Sequence, residues 1–264
     1  MNIFQYIMSF FKPKTYVIAP VVTGGDIFYV PVIKMDGNWL PYLSKPYESQ
    51  YINFDESNCV TQSGINCIEA ILNYYLKNNL LPPEVDYAFE QLFCNEQGDV
   101  KLSTRFTSTM AGTTKLGLGM DKFWESVNRD GIVPLRNYPD LKGKFTWEDY
   151  YKPVPADLIA AGKQSAKIFQ FAWKVFKNNQ WNAPIIADLK SALAESPIHW
   201  AGASCPKDYA GITRPCGARV YQHARTIYAV TDYLEILDQF DPYLRKASLD
   251  YPVPCAIKAQ LIIK

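Results

Sequence analysis

From Val60 onward the apolar positions fall at Val60, Cys67, Ile68, Ile71, Leu72 and Tyr75. That i, i+7, i+8, i+11, i+12, i+15 series keeps one face of an α-helix apolar. Ser57 or Asn58 stands where a cap is needed, and the pattern stops near Asn78-Asn79, ahead of Pro82-Pro83. Further helical patterns cover 84–94, "LSTRFTSTMAG" and "LGMDKFWESVNRDGI", the last stopped by Gly131. Residues 15–34, "TYVIAPVVTGGDIFYVPVIK", read instead as two short strands around a Gly-Gly turn, and 35–55 as an extended loop.

The second half changes period. Residues 140–165 hold Pro153, Pro155 and Gly162 and read as a loop between halves. "AKIFQFAWKVF" (166–176) alternates like a strand and "IIADLKSALAES" has helical spacing. From Pro197 the runs "PIHWAGAS", "ARTIYAV", "YLEILDQF" and "CAIKAQLIIK" are strand-like. A helical first half beside a β-rich second half predicts an α+β fold with two lobes.

Composition narrows the function without naming it. The 264 residues allow one large domain or two small ones. Apolar residues make up 48% and charged residues 20%, which suits a packed core rather than a disordered chain. Net charge is +1 with no long charge run, so nothing calls for a nucleic-acid backbone as partner. No apolar stretch has the roughly 20 residues of a membrane span. The start, "MNIFQYIMSFFKPK", lacks the basic lead and small-residue cleavage site of a secretory signal, and reads as an amphipathic or docking segment. The expected location is the cytoplasm or a virion.

Six cysteines, none in a CxxC pair, and only two histidines, His199 and His223, argue against a structural zinc site, and no metal or cofactor is expected. A reducing compartment is the default for this cysteine density, with a Cys205–Cys216 bridge left open.

Two places carry candidate chemistry. Cys59 sits where a polar loop becomes a helix, and unpaired N–H groups plus the helix dipole at such an end favour thiolate. On its own a cysteine is more often core, as Cys67 on the apolar face of the same helix illustrates. The second place is "QHARTIYAVTDYLEILDQFDPY". A turn near Thr231-Asp232 would fold it into a hairpin that sets His223 beside Asp238, and a carboxylate there orients the imidazole. His199 reads mainly as a strand histidine tied to a neighbour, with substrate contact as the alternative. Arg225 shares the His223 face and is either a buried ion-pair partner or a rim charge. A cysteine, a distant histidine and an orienting Asp or Asn, in that order, point to thiol peptidase chemistry.

At these residues the chain resembles the papain-like cysteine peptidases over about 50–245. "NCVTQSGINCIEAILNYY" looks like the nucleophile helix of that family. "LSTRFTSTMAG…LGLGMDKFWESVNRDGIVPLRNYPDL" is similar to its next helices, glycine-rich stretch and "GI…YP" turn. "LKSALAESPIHWAG" and "YAGITRPCGARVYQHA" resemble the approach to the histidine, and "LDQF" stands where the family has Asn-Ser-Trp. The resemblance implies Cys59 as nucleophile, His223 as general base and acid, Asp238 in place of the orienting Asn, and Phe240 as the aromatic shield. It puts Asn53 at the oxyanion-hole position, with Gln50 as competitor, beside the Cys59 N–H.

The resemblance also implies an organisation: an N-terminal arm with short strands over 1–48 and a peptidase domain over 49–264. Within that domain a helical lobe spans about 56–140 and an antiparallel sheet or barrel about 164–264, with the active site between them. The departures, Val60 for Trp, Asp238 for Asn and Phe240 for Trp, with no long propeptide, point towards a microbial or phage branch. The implied partner is a protein or peptide substrate, cell-wall peptide stems included. The contrasting reading is a papain-like module kept for structure or binding in a virion or secretion assembly.

Overall fold

The structure, a computed structural model, describes residues 28–29, 34–49, 56–81, 83–177 and 180–263. Most of the expected hairpin over 15–34 lies outside the described residues, as do Gln50 and Asn53. In chain order the elements are β1 (Phe28–Tyr29), α1 (Cys59–Lys77), α2 (Pro83–Phe93), α3 (Thr104–Ala111), α4 (Met120–Asp130), α5 (Trp147–Tyr150) and α6 (Ala156–Ile168). Then follow β2 (Phe169–Lys177), α7 (Ile186–Leu193), β3 (Ile198–Gly202), β4 (Ile212–Thr213), β5 (His223–Val230), β6 (Leu234–Leu237), β7 (Leu244–Ala247) and β8 (Cys255–Ile263). The fold is α+β, with the helices mostly ahead of the strands.

The apolar stripe of α1 is buried, as its periodicity predicts. Its polar side is buried too: Thr61, Gln62, Ser63, Glu69 and Asn73 are all inaccessible. These polar groups hold neighbouring segments. Asn73 donates to the Tyr42 carbonyl at 2.9 Å and accepts from Val100 N at 2.8 Å. Glu69 accepts from Leu102 N at 2.8 Å and, with Glu48, flanks the Lys101 ammonium. Gly64 lets α4 come close, since a Cβ there would lie 2.2 Å from the Phe123 ring.

Among the described strands one sheet runs β1-β8-β3-β5-β6-β7-β4, with β2 also on β8. One edge of β8 carries β2, and the other carries β3 at its start and β1 at its end. The pairing is antiparallel except for the two-residue β4, which runs parallel to β7 against the all-antiparallel expectation. The larger apolar cluster runs from α1 through Trp124 and Trp200 into the sheet, and a smaller one gathers Phe106, Val133, Tyr138, Val154 and Ala161.

The stretch 140–165, expected to be a loop, holds α5 and most of α6. Thr146 and Asp149 form a reciprocal capping box on α5. Pro155 is the N-cap of α6, a place where a missing N–H costs nothing. Gly162 packs against the Asp130 carbonyl and the Phe106 ring, so here glycine marks close packing rather than a turn. The strand expected from 166 begins at Phe169, and 166–168 finish α6.

Candidate active site

Cys59 is the first residue of α1 and is half-buried. Its position matches the expected helix N-terminus, but the capping does not. Asn58 is the N-cap by backbone alone, and no side-chain cap bond forms. The Asn58 amide instead donates to Glu56 Oε2 at 3.0 Å and lies 3.2 Å from the Tyr150 hydroxyl. Tyr150 in turn donates to Asp140 Oδ1 at 2.9 Å, and the Tyr151 hydroxyl donates to the Glu56 carbonyl at 2.7 Å. A buried polar chain thus anchors the lead-in to Cys59 on α5. Burial, reinforced by the charge of Glu48, pushes the Asp140 carboxyl up to about 6.

The remaining cysteines outside the disulfide sit in different surroundings. Burial pushes the Cys67 thiol up to about 12 and the Cys94 thiol up to about 11, and raises that of Cys255. Such thiols stay protonated and unreactive at neutral pH. Cys205 and Cys216 are joined as a disulfide, with Cα atoms 5.5 Å apart.

His223 opens β5, and Asp238 follows directly after β6, its hairpin partner. His223 Nε2 lies 2.7 Å from Asp238 Oδ1, and both side chains are buried. A carboxylate can only accept, so Nε2 carries the proton and Nδ1 remains to exchange one. Gln239 N donates to the same Oδ1 at 2.7 Å. The Phe240 ring lies 5.3 Å from the imidazole. Burial lowers the His223 pKa, with the charges of Arg225 and Arg245 acting the same way and the Asp238 hydrogen bond opposing. For Asp238, burial would raise the carboxyl, but bonds and charges from His223 and Arg225 outweigh it and hold the group well below the usual range.

Arg225 is a buried ion-pair partner, not a rim charge: its Nε donates to Asp238 Oδ2 at 2.9 Å. Arg245 approaches the same oxygen at 3.4 Å. Two-residue spacing on a strand puts Arg225 on the His223 face, and that was the signal for it. Arg245, from β7, had none. His199 is fully buried, accepts from Trp124 Nε1 at 3.2 Å, and is pushed by burial down to about 3. It is a neutral core residue.

α1 and β5 run in the same sense. The Thr226 hydroxyl donates to the Ser63 carbonyl at 2.9 Å and lies 3.8 Å from Cys67 Sγ. Further along, Trp39 N donates to the Tyr228 carbonyl while the Trp39 ring packs 5.5 Å from that of Tyr74. Higher numbers on the strand therefore match higher numbers on the helix. The starts of both elements, Cys59 and His223, share one end of the pair. His223, Asp238 and Phe240 are in direct contact there, while Asn53 lies outside the described residues. Among the described residues no group of three or more His, Cys, Asp or Glu is arranged to hold a metal, and no helix is long and apolar enough to cross a membrane.

No family model matches the sequence, and no curated protein does. Solved structures do. Procathepsin L 3 from the larval midgut of Tenebrio molitor aligns with a TM-score of 0.52 at 10% identity, covering 98% of this chain and 79% of that one. A cysteine protease of Carica candamarcensis aligns with a TM-score of 0.50 at 12% identity, covering 88% of this chain and 99% of that one. The fold is thus similar to that of papain-like cysteine proteases. These neighbours come from an insect and a plant, and give no support to a microbial or phage branch.

Proposed function

We propose that this protein is a cysteine peptidase acting through Cys59, His223 and Asp238. One observation carries the reading. A buried imidazole is bound through Nε2 by a carboxylate, leaving Nδ1 for proton exchange, at the same end of the fold as a cysteine on a helix N-terminus. The similarity of fold to cysteine proteases supports it.

In this reading His223 Nδ1 takes the thiol proton and Cys59 Sγ attacks the scissile carbonyl carbon. The oxyanion faces the backbone N–H groups at the start of α1, with Asn53 as a further donor. The imidazolium protonates the departing amine and a thioester remains. Water then attacks it, giving its proton back to His223, and the thiolate leaves. Asp238 holds the ring throughout, and Phe240 keeps water from the His223–Asp238 bond. The helical unit over about 56–140 and the β unit over about 164–264 form the two walls of the cleft. The substrate is a protein or peptide.

The test is labelling by an electrophilic peptide probe, mapped by mass spectrometry, alongside turnover of a peptide library. Cys59→Ala is expected to abolish both. Undiminished turnover in that variant would overturn the assignment.

A further inference from the structure

We propose that Arg225 is the positioning residue of the His223–Asp238 pair, fixing the orientation of the carboxylate and offsetting its charge against the imidazole. The inference rests on the peptidase reading for its purpose, but not for its geometry.

A buried carboxylate against an imidazole favours imidazolium strongly. Asp238 at 2.7 Å raises the proton affinity of His223, against burial and the nearby arginine charges, which lower it. The Asp238 carboxylate is not alone. Its two oxygens have separate duties: Oδ1 faces His223 Nε2 and Gln239 N, and Oδ2 accepts from Arg225 Nε. The guanidinium is itself fixed. Its Nη1 donates to the Ala203 carbonyl at 3.3 Å and its plane centre lies 5.4 Å from the Trp200 ring. The same carbonyl accepts from the Tyr251 hydroxyl at 2.5 Å, so this bracket reaches from β5 across to the segment before β8. Rotation of the carboxylate away from His223 would break the Arg225 bond.

The charged and titratable groups facing the pair come from several elements. Arg225 is on β5, Arg245 on β7, Tyr251 before β8, and Cys59 stands at the same end on α1. Arg245 has another task, since it donates to the carbonyls of Phe240, Asp241 and Pro242 and so braces the turn that carries the aromatic shield. Among the described residues the Arg225 ion pair is with Asp238. Of the two cations, Arg225 is the one whose bond to Oδ2 is short, 2.9 against 3.4 Å, and so the one that orients the carboxylate.

With only two histidines in the chain, imidazole NMR separates them, and buried His199 serves as internal reference. The titration is run on the full chain carrying Cys59→Ala, so it needs no turnover. Arg225→Met is expected to raise the His223 midpoint by about one pH unit or more, while Arg225→Lys keeps it closer to the parent. Adding Asp238→Asn to Arg225→Met should bring it back down. If Arg225→Met does not fold, Arg225→Gln decides: it keeps a hydrogen-bond donor but no charge, and the midpoint should rise by about one unit. An unmoved midpoint in either variant overturns the proposal. In chains that retain Cys59, the alkaline limb of kcat/KM should move with the midpoint. Loss of turnover in every chain, with the titration shifts intact, would remove the peptidase reading and leave Arg225 in place.

Discussion

The Thr226 hydroxyl donates to the Ser63 carbonyl, one helical turn beyond Cys59 and three strand residues beyond His223. This bond fixes how α1 slides against β5. Thr226→Val keeps the shape and removes the donor. It is expected to cost about 1 kcal/mol in urea unfolding and to lower kcat/KM at least several-fold, with Thr226→Ser close to the parent. A Thr226→Val enzyme with full activity would mean the helix end needs no such anchor.

Gly64 sets the second distance around α1. A methyl group there meets the Phe123 ring at 2.2–2.7 Å, and that ring is fully buried. Gly64→Ala should lose roughly 1–3 kcal/mol in thermal or chemical unfolding, and adding Phe123→Leu should recover part of it. If the single variant is as stable as the parent, α4 is free to retreat.

Thiol reactivity should be uneven. At pH 7 iodoacetamide is expected to modify Cys59 at least about tenfold faster than Cys67, Cys94 or Cys255, whose thiols are all held protonated by burial. Peptide mapping of a time course gives the order, and first labelling at Cys94 or Cys255 would contradict it.

Asp140 should leave a mark on stability against pH. Its carboxyl is raised to about 6 by burial, above an unfolded value of about 4. The folded state therefore binds the extra proton between those values. The group's contribution is full below about pH 4 and is lost as pH rises towards 6. Asp140→Asn still accepts from Tyr150 but cannot ionise. Relative to the parent it should gain up to about 3 kcal/mol between pH 4 and 7, read from denaturation midpoints across that range. A constant difference between the two proteins would show that the carboxyl titrates normally.

Much of this arrangement was legible because the relevant signals are local. Apolar spacing marked α1, strand-like runs marked β5 and β6, and hairpin arithmetic brought His223 to Asp238. What escaped depends on partners far along the chain. Glu69 and Asn73 look like solvent-facing residues until Leu102, Lys101 and Val100 arrive to bind them. Asn58 has the right chemistry to cap α1, yet Glu56 and Tyr150 compete for its amide and win. Pro153, Pro155 and Gly162 suggested a loop, but proline suits the approach to a helix and glycine a close crossing, so α6 was hidden by the residues that permit it. Arg245 reaches Asp238 from another strand, and no spacing rule links β7 to the end of β6.

The place of β8 in the sheet has a consequence for synthesis. It pairs with β1, β2 and β3, all of which precede it in the chain. On the ribosome these three strands emerge with open edges and wait for their shared neighbour. At translation rates of about 5–20 residues per second, β2 would wait several seconds or longer for Cys255–Ile263. During that interval the nascent chain exposes unpaired strand edges, the surfaces most prone to association between chains. The helical segment with Cys59 has been made long before β5 and β6 bring His223 to Asp238, so the two halves of the site are assembled at separate times.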